Sequence, residues 1–176
     1  MSIEIREMTL EDLPEVYDLG ERVFTAEAWP SLHRTWDEFD LALAFASDSE
    51  SCLVAENEKG RIVGFVLGTL LEKRGGPWAY GWLTWIAVRP RSRKERVGRR
   101  LLDALTEIFI EQGARMMLVD TDPDNVTAVR FFEDAGFGNP QAHVYLSRNL
   151  KTHPSYARRR AEKEQKGARR GRKPPR

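Results

Sequence analysis

The sequence predicts an α/β (α+β) fold, in which a mixed central sheet of about seven strands is flanked by about four helices. Three features predict it. Runs rich in β-branched and aromatic residues alternate along the chain with runs whose apolar residues recur at helical spacing. Turn sequences such as Asn57-Glu58-Lys59-Gly60 and Gly75-Gly76-Pro77 separate the strand-like runs. Finally, a basic loop leads from the most aromatic strand directly into a helix.

The predicted elements follow one another in the order β-α-α-β-β-β-α-β-α-β. Alternating or β-branched runs place the strands at residues 3–7, 52–56, 61–71, 80–88, 115–121 and 142–150. The first helix begins near Thr9, because Asp12 completes a capping-box pattern with it. The second helix is predicted to present an apolar face made of Trp36, Phe39, Leu43 and Ala46. The third and fourth helices end at Gly113 and Gly136, which suit a helix C-terminus.

Composition and cysteine content favour a soluble protein of a reducing compartment. Hydrophobic residues make up 41% of the chain, and no apolar run approaches the roughly 18 residues that a membrane-spanning helix needs. The N-terminal sequence is acidic and lacks the apolar core of a signal peptide. Cys52 is the single cysteine and lies in an apolar run, so we expect it in the core. We therefore expect a cytoplasmic protein, monomeric or homodimeric, with no membrane association.

The formal net charge of +1 conceals two oppositely charged parts. Residues 1–150 carry 17 basic and 25 acidic side chains, whereas residues 151–176 carry 11 basic and two acidic ones. We predict a folded domain at 1–150 and a basic tail at 151–176 that is flexible or helical. The tail suits binding to nucleic acid, to an acidic partner, or to the acidic body of its own or another subunit. The alternative is that it only keeps the chain soluble.

The stretch from Tyr80 to Leu102 contains a candidate anion site. Its strand ends in the basic loop at residues 89–97, and a helix opens at Gly98. The N–H groups of a first helical turn have no partner inside the helix, and the helix dipole adds positive charge there. A phosphate or pyrophosphate is the expected ligand, since four side chains add full charges: Arg93, Lys94, Arg96 and Arg99. A solvated basic connector is the alternative.

Two motifs, in this order of elements, resemble the GNAT superfamily of acyl-CoA-dependent N-acyltransferases. The pattern is nearest to that of the ribosomal-protein N-terminal and lysine acetyltransferases. The loop from Arg93 to Gly98 resembles the family's Gln or Arg, two residues, Gly, one residue, then Gly or Ala. The second motif resembles the family's Asn-x-x-Ala-x-x-Phe-Tyr-x-x-x-Gly-Phe and reads Asn125-x-x-Ala128-x-x-Phe131-Phe132-x-x-x-Gly136-Phe137. The resemblance covers residues 3–149 and leaves out the tail.

The resemblance implies acetyl-CoA, or another acyl-CoA, as co-substrate. The loop amides would bind the CoA pyrophosphate, and the pantetheine arm would pair with the free edge of the strand at 85–88. A backbone N–H of that strand would polarise the thioester carbonyl. Asn125 would contact the pantetheine arm or the acceptor, a role compatible with capping its helix. The implied cofactor-binding residues are Trp85, Ile86, Ala87, Val88, Arg93, Lys94, Glu95, Arg96, Val97, Gly98, Arg99, Asn125, Ala128, Phe131 and Phe132.

The chain departs from the family pattern at two positions. Arg96 stands where the pattern has its first glycine, and a positive φ there would cost arginine on the order of 1 kcal/mol more than glycine. The alternative is an ordinary φ with the guanidinium facing phosphate. Phe132 stands where many members have the tyrosine that protonates the CoA thiolate. Tyr80, Tyr145 or solvent would then supply that proton.

Asp120 is the candidate general base. It follows a buried-strand run and is placed like the glutamate base of the ribosomal-protein N-terminal acetyltransferases. Such a base takes a proton from an ammonium, directly or through water. The alternative is that Asp120 caps the following turn. The histidines show no metal-ligand spacing, so we expect no metal.

The acidic body favours a cationic acceptor such as a lysine side chain, a protein N-terminus or a polyamine. Trp29, Trp36 and Trp78 are candidates for stacking on it, with ordinary packing as the alternative. We expect an N-acyltransferase that moves an acetyl or other short acyl group to a primary amine in a ternary complex, with no covalent enzyme intermediate. The rival is a non-catalytic acyl-CoA-binding module tethered to nucleic acid by its tail, which Arg96 and Phe132 favour.

Overall fold

The computed structural model describes residues 2–25, 36–72, 78–141 and 148–171, with the backbone alone at 93, 94 and 165–171. Its strands are β1 (Ile3–Glu7), β2 (Cys52–Asn57), β3 (Ile62–Glu72), β4 (Ala79–Val88) and β5 (Ala114–Val119). Its helices are α1 (Leu13–Val23), α2 (Glu38–Ser47), α3 (Val97–Glu111), α4 (Val126–Asp134) and α5 (Pro154–Gly171). The α/β (α+β) class is confirmed, and the predicted order of elements holds from β1 through α4.

The numbers of strands and helices differ from the prediction. The described ranges contain five strands instead of about seven, and most of the predicted last strand, at 142–150, falls outside those ranges. A fifth helix, α5, occupies most of the predicted basic tail. Alanine, arginine, lysine, glutamate and glutamine dominate α5 and are strong helix formers. Intrinsic propensity therefore favours a helix there even though the segment has almost no apolar face.

The five strands form one sheet in the order β1-β2-β3-β4-β5. Neighbours are antiparallel from β1 to β4, and β5 runs parallel to β4. Helix α3 packs on one face through Leu101, Leu105 and Phe109, which we call the α3 layer. Helices α1 and α2 cover the other face and form the α1/α2 layer. Gly81 permits the close approach of α3, because a Cβ there would lie 2.2 Å from a ring carbon of Phe109.

A bulge at Thr84 changes which layer each side of β4 faces. Leu67 of β3 pairs with Trp85 and Gly68 pairs with Leu83, so Thr84 is the extra residue on β4. Leu83 packs in the α3 layer, whereas Trp85 packs in the α1/α2 layer. A regular strand would keep these two odd-numbered positions on one face. The bulge therefore divides β4 into two segments that are buried on opposite faces.

A charged cluster joins β1 to the start of α1. The Arg6 guanidinium donates to both oxygens of the Asp12 carboxylate, at 2.6 and 2.9 Å, and pairs with Glu56 of β2. Asp12 also accepts a hydrogen bond from the Thr9 N–H at 2.8 Å, which confirms the predicted capping box. The hydrogen bonds from Arg6 lower the pKa of Asp12 to about 2. Its contribution to stability is therefore complete above about pH 4 and is lost as the pH falls through about 2.

Helix α2 turns a different face to the core from the one that its apolar spacing predicts. Its N-cap is Asp37, whose carboxylate accepts hydrogen bonds from the N–H groups of Phe39 and Asp40 at 2.8 Å. Leu41 is buried, whereas Phe39 and Leu43 are 75% and 67% exposed. The predicted apolar face of this helix is therefore wrong, because the helix docks through the adjacent face that contains Leu41.

The chain divides into two compact units. The first comprises Met1–Phe137 and contains the five-stranded sheet, and the second comprises Gly138–Arg176 and contains α5. Within α5, Arg160 forms an ion pair with Glu164 at 3.0 Å. The predicted boundary at residue 150 stays a prediction. No helix in the described ranges is both long enough and apolar enough to cross a membrane.

Candidate active site

Strands β4 and β5 separate halfway along β4. Their pairing runs from Ala79 with Ala114 to Leu83 with Val119 and ends there. Residues 85–88 of β4 pair with β3 and with no other strand of the described ranges. The separation begins at the Thr84 bulge, and we call this point the fork. Beyond the fork, the residues predicted to hold the acyl-CoA arm have an edge that no described strand covers.

The register identifies which backbone groups point toward the open edge. The Arg89 N–H donates to the Val63 carbonyl at 2.8 Å, so these two residues form a hydrogen-bonded pair of the β3–β4 ladder. Hydrogen-bonded and non-hydrogen-bonded pairs alternate along an antiparallel ladder. Ile86 and Val88 therefore direct their N–H and C=O groups away from β3. These groups suit an extended ligand with amide bonds, which would pair there like an added strand.

Strand β4 leads into α3 through a short helical turn at Pro90–Glu95. Arg96 ends the turn with φ 56° and ψ 23°, which is the left-handed conformation. The alternative of an ordinary φ at Arg96 is therefore wrong. The Arg100 N–H donates to the Arg96 carbonyl at 3.0 Å, which is the first hydrogen bond of α3. The N–H groups of residues 97–99 therefore point out of the helix end, where an anion can accept from them.

The cations predicted at this helix end differ in what they contact. Arg99 donates from Nε to the Asp103 carboxylate at 2.8 Å and from Nη1 to the Asp134 carbonyl at 3.1 Å. Its guanidinium therefore links α3 to the end of α4. Arg96 is exposed, so its charge faces solvent at the helix entrance. The side chains at 93 and 94 lie outside the described set.

Gly98 lies in more space than the fold needs. A Cβ at Gly98 would meet Val88 at 3.5 Å and Phe131 at 3.6 Å, which are ordinary van der Waals distances. The fold would therefore accept an alanine, and the advantage of glycine is that a ligand can approach the backbone closely. Of its neighbours, Val97 is completely buried in the core and Glu95 is exposed.

Asn125 caps α4. Its side-chain oxygen accepts a hydrogen bond from the N–H of Ala128 at 3.1 Å, which confirms the capping role. Its amide nitrogen donates to Thr121 at 3.4 Å. Ala128 packs against the α3 layer. The predicted contact of Asn125 with the pantetheine arm or the acceptor stays a prediction.

The two phenylalanines of the second motif pack into the core. Phe131 lies beside Gly98 of α3, so α4 flanks the helix end that carries the free N–H groups. Phe132 is 6% exposed and makes edge contacts with Phe131 and Phe137, at ring-centroid distances of 5.1 and 5.4 Å. A buried phenylalanine supplies no hydroxyl, so the proton for a leaving thiolate must come from another group.

Asp120 is the carboxylate at the fork. It directly follows β5, and the register places it level with Thr84. The Trp82 Nε1–H donates to its Oδ1 at 3.1 Å. Asp120 is exposed, so its carboxylate is accessible to a bound amine.

Of the two tyrosines predicted to act as acids, the one that the structure describes, Tyr80, lies away from the fork. Tyr80 pairs with Met116, four strand positions before Thr84, which corresponds to about 13 Å along the strand. That distance is longer than the reach of a tyrosine side chain, so the structure separates Tyr80 from Asp120. Tyr145 lies outside the described residues.

Trp36 is a core residue. It is 4% exposed, and its Nε1–H donates to the Tyr17 carbonyl at 3.0 Å. Its ring contacts Phe24 and Trp85, with centroid distances of 5.5 and 5.3 Å. The prediction that Trp36 contacts the substrate is therefore wrong, because packing occupies the whole ring.

Trp78 lies at the opposite end of β4 from the anion site. It is 47% exposed, and the Arg115 guanidinium lies 5.1 Å above its ring. Six residues separate it from Thr84, or about 20 Å along the strand. Only an extended acceptor would reach both Trp78 and the fork. Trp29 lies outside the described ranges.

Sequence reasoning missed two residues at the fork, Trp82 and Thr84. The Thr84 hydroxyl donates to the Leu67 carbonyl at 3.1 Å and so contributes to the bulge. A threonine between aromatic and aliphatic residues is ordinary in a strand, and the sequence therefore gives no sign of the bulge. The bond from Trp82 to Asp120 depends on the strand register, which the sequence does not specify.

Comparison with known proteins relates this geometry to a family. Residues 13–137 match the model of the acetyltransferase (GNAT) family. The catalytic subunit ard1 of the Schizosaccharomyces pombe N-terminal acetyltransferase A complex is 26% identical over 126 residues, covering 71% of this chain and 60% of ard1. The L-2,4-diaminobutyric acid acetyltransferase of Bordetella parapertussis is 34% identical over 96 residues, covering 54% of this chain and 50% of that protein. The chain thus spans half to three-fifths of the length of these two relatives.

A solved structure extends the likeness over more of the chain. Aminoglycoside N-acetyltransferase AAC(6')-Iy, in complex with CoA, is similar with a TM-score of 0.63 and 19% sequence identity. The match covers 84% of this chain and 95% of that one. At this level of identity the likeness establishes the fold alone.

Proposed function

Because the chain belongs to the acetyltransferase (GNAT) family, we propose that it transfers an acetyl group from acetyl-CoA to a primary amine. Acetyl-CoA is the co-substrate of GNAT acetyltransferases. The open edge of β4 carries the proposal, since it runs from Asp120 at the fork toward the anion-binding end of α3. An extended acyl-CoA arm with a pyrophosphate at one end and a thioester at the other fits this order of groups.

The described residues match the chemistry of each part of acetyl-CoA. The pyrophosphate would accept hydrogen bonds from the N–H groups at 97–99, and Arg96 would add charge. The amide groups of the pantetheine arm would pair with the backbone of Ile86 and Val88. A free N–H on this edge would also donate to the thioester oxygen and stabilise negative charge as it develops there.

Asp120 would act as the general base. An ammonium cannot attack, so the acceptor must first lose a proton, which the carboxylate takes directly or through a water molecule. The neutral nitrogen then attacks the thioester carbon, the C–N bond forms, and the C–S bond breaks. The thiolate of CoA leaves with the electron pair, and the nitrogen, which is positively charged after its attack, loses a second proton to solvent as the amide forms. Solvent supplies the thiolate with its proton in the absence of a tyrosine at Phe132, since a thiol with a pKa of about 8.5 is a fair leaving group.

We propose a protein amine, on a lysine side chain or an N-terminus, as the acceptor. The excess of acidic over basic side chains at residues 1–150 favours a cationic substrate. The match to ard1 supports a protein acceptor. A small amine is the second candidate, and the match to a diaminobutyric acid acetyltransferase supports it.

The test is release of CoA from acetyl-CoA with a panel of amines, namely basic peptides with free N-termini, lysine peptides with blocked N-termini, polyamines and 2,4-diaminobutyrate. We expect Asp120→Asn to lower kcat about a hundredfold or more, because the amide cannot accept the proton, while acetyl-CoA affinity holds. Steady-state kinetics and calorimetry measure the two quantities.

Asp124→Asn is the matched control, because it removes a nearby exposed carboxylate that is not a candidate base, and it should leave kcat unchanged. A normal kcat in Asp120→Asn would exclude Asp120 as the base. Tight acetyl-CoA binding without turnover of any amine would instead support the rival, a non-catalytic acyl-CoA-binding module.

A further inference from the structure

We propose that Trp82 is a positioning residue, whose indole N–H holds one oxygen of the Asp120 carboxylate so that the rest of the carboxylate faces the bound amine. The inference rests on the proposed function. Its basis is the bond from Trp82 Nε1 to Asp120 Oδ1, at 3.1 Å, which crosses the fork from β4 to the residue after β5.

The two partners differ in how firmly their backbones are held. Trp82 pairs with Thr69 of β3 on one side and with Leu118 of β5 on the other, so its backbone lies within the sheet. Asp120 lies outside the strands, in the segment between β5 and α4, and its side chain is exposed. A residue on a rigid strand thus holds a carboxylate that its own backbone positions less firmly.

The chemistry of the two groups suits this division of roles. Indole is a donor only and does not titrate, so Trp82 can neither remove nor supply the reaction proton. A carboxylate has acceptor sites for about four hydrogen bonds, and the indole occupies one of them. The bond to the indole therefore does not by itself prevent Asp120 from accepting from the amine or from a bridging water. Loss of this bond would remove one of the contacts that limit the rotamers of Asp120, of which only some point to the amine.

A double-mutant cycle tests the proposal in the full-length chain. Trp82→Phe keeps an aromatic ring and removes the donor. We expect kcat to fall roughly tenfold, which is about 1.4 kcal/mol, with the KM for acetyl-CoA unchanged. In an Asp120→Asn background the same substitution should change kcat little, because the group that it positions no longer acts as a base. Tyr156→Phe is the matched control, because it removes the hydroxyl donor of an exposed aromatic residue of α5, and it should resemble the unmodified chain.

The cycle also distinguishes positioning of the Asp120 carboxylate from stabilisation of the sheet at the fork. If the two substitutions lower kcat independently, or if Trp82→Phe raises the KM for acetyl-CoA as much as it lowers kcat, Trp82 stabilises the fork and does not act through Asp120. If the unmodified chain acetylates an amine and the variants give that result, only the positioning role is overturned and the proposed function stands. A chain that releases no CoA with any amine overturns the proposed function, and the positioning role with it.

A spectroscopic measurement keeps the test valid if Trp82→Phe is poorly folded. In protein labelled with 15N, the indole signal of Trp82 is the one that the Trp82→Phe spectrum lacks; if that variant cannot be used, Trp82→Tyr supplies the assignment. We expect this signal to shift in Asp120→Asn and to stay in place in Asp124→Asn. An unchanged Trp82 signal in Asp120→Asn would show that the bond is absent in solution, which would overturn the proposal.

Discussion

Arg96 adopts a backbone conformation that suits glycine better than arginine. With φ at 56°, its Cβ crowds the following carbonyl, at a cost on the order of 1 kcal/mol. Arginine at this position places a positive charge at the entrance of α3, next to the N–H groups that are proposed to bind pyrophosphate. A gain in ligand affinity is therefore the physical reason for retaining an unfavourable backbone angle.

We expect Arg96→Gly to weaken acetyl-CoA binding about tenfold and to raise the free energy of unfolding by no more than about 1 kcal/mol. The gain is small because glycine relieves the left-handed angle but also frees the unfolded chain. Arg96→Ala is the control, since it removes the charge and keeps the strained angle. It should weaken binding equally without the gain in stability. Calorimetry and urea denaturation measure both quantities, and unchanged affinity in both variants would exclude the guanidinium from the site.

Among single residues, those whose role depends on local sequence were predictable. Those whose role depends on the pairing register of the strands were not. Asn125 and Asp12 belong to short motifs with fixed spacing, and both make the predicted cap contacts. For Trp36 the sequence left both substrate stacking and packing open, because a tryptophan looks the same in a sequence whether it packs or binds. Trp82 was missed because its partner, Asp120, is 38 residues away in the chain.

Among the elements, α2 shows why an apolar pattern can identify a helix and still mistake its orientation. Its ten residues contain seven apolar side chains or alanines on several sides, so more than one face can be buried. The helix packs through Leu41, and the neighbouring stripe of Phe39 and Leu43 faces solvent. The positions of α1 and β3 decide which of the two faces of α2 is buried. The sequence of the helix alone does not specify those positions.

We expect the double variant Phe39→Gln, Leu43→Gln to change the free energy of unfolding by no more than about 0.5 kcal/mol, because both side chains are already in water. Leu41→Ala on the same helix should cost roughly 2–5 kcal/mol, because it leaves a cavity in the α1/α2 layer. Urea denaturation of the three chains gives the comparison. A glutamine pair as costly as Leu41→Ala would mean that this stripe is covered in solution.

The bulge in β4 is the second element-level feature that the sequence conceals. Burial alternates without interruption from Gly81 to Ala87, as in a regular strand. The alternation survives because the odd positions before Thr84 are buried under α3 and those after it under α1 and α2. A pattern of period two reports only that a side chain is buried and gives no information on the layer. The fork, on which the proposed chemistry depends, thus requires the structure.

Across the whole molecule, charge and compactness separate an acidic body from a basic end. The unit Met1–Phe137 contains the sheet and both core layers, while α5 carries most of the basic side chains of residues 151–176. The charge asymmetry was readable from composition alone. The helical state of α5 was one of two alternatives that the sequence left open, because the segment has strong helix formers but almost no apolar face.

We expect a chain that ends at Leu150 to fold, to bind acetyl-CoA and to acetylate a small amine at close to the full-length rate, since residues 151–176 have hardly any side chain able to enter a core. Any nucleic-acid binding should weaken and lose most of its salt dependence, because each lost cation removes a phosphate contact. The control is the full-length chain with Arg158, Arg159 and Arg160 replaced by glutamine, which keeps the length and reduces the charge. A truncated chain that cannot bind acetyl-CoA would show that the tail is part of the fold.

The bulge at Thr84 also affects which insertions and deletions β4 can tolerate. Gains and losses of single residues are tolerated mostly in surface loops, where no pairing depends on the count. In β4, loss of one codon at Thr84 would leave a regular ladder in which Leu83 and Trp85 become neighbours and still face opposite layers, whereas loss of one codon after Trp85 would turn every later side chain of the strand to the opposite face. Replacement of Thr84 by another residue would leave the count intact. Natural variation in the length of β4 should therefore be confined to the bulge itself.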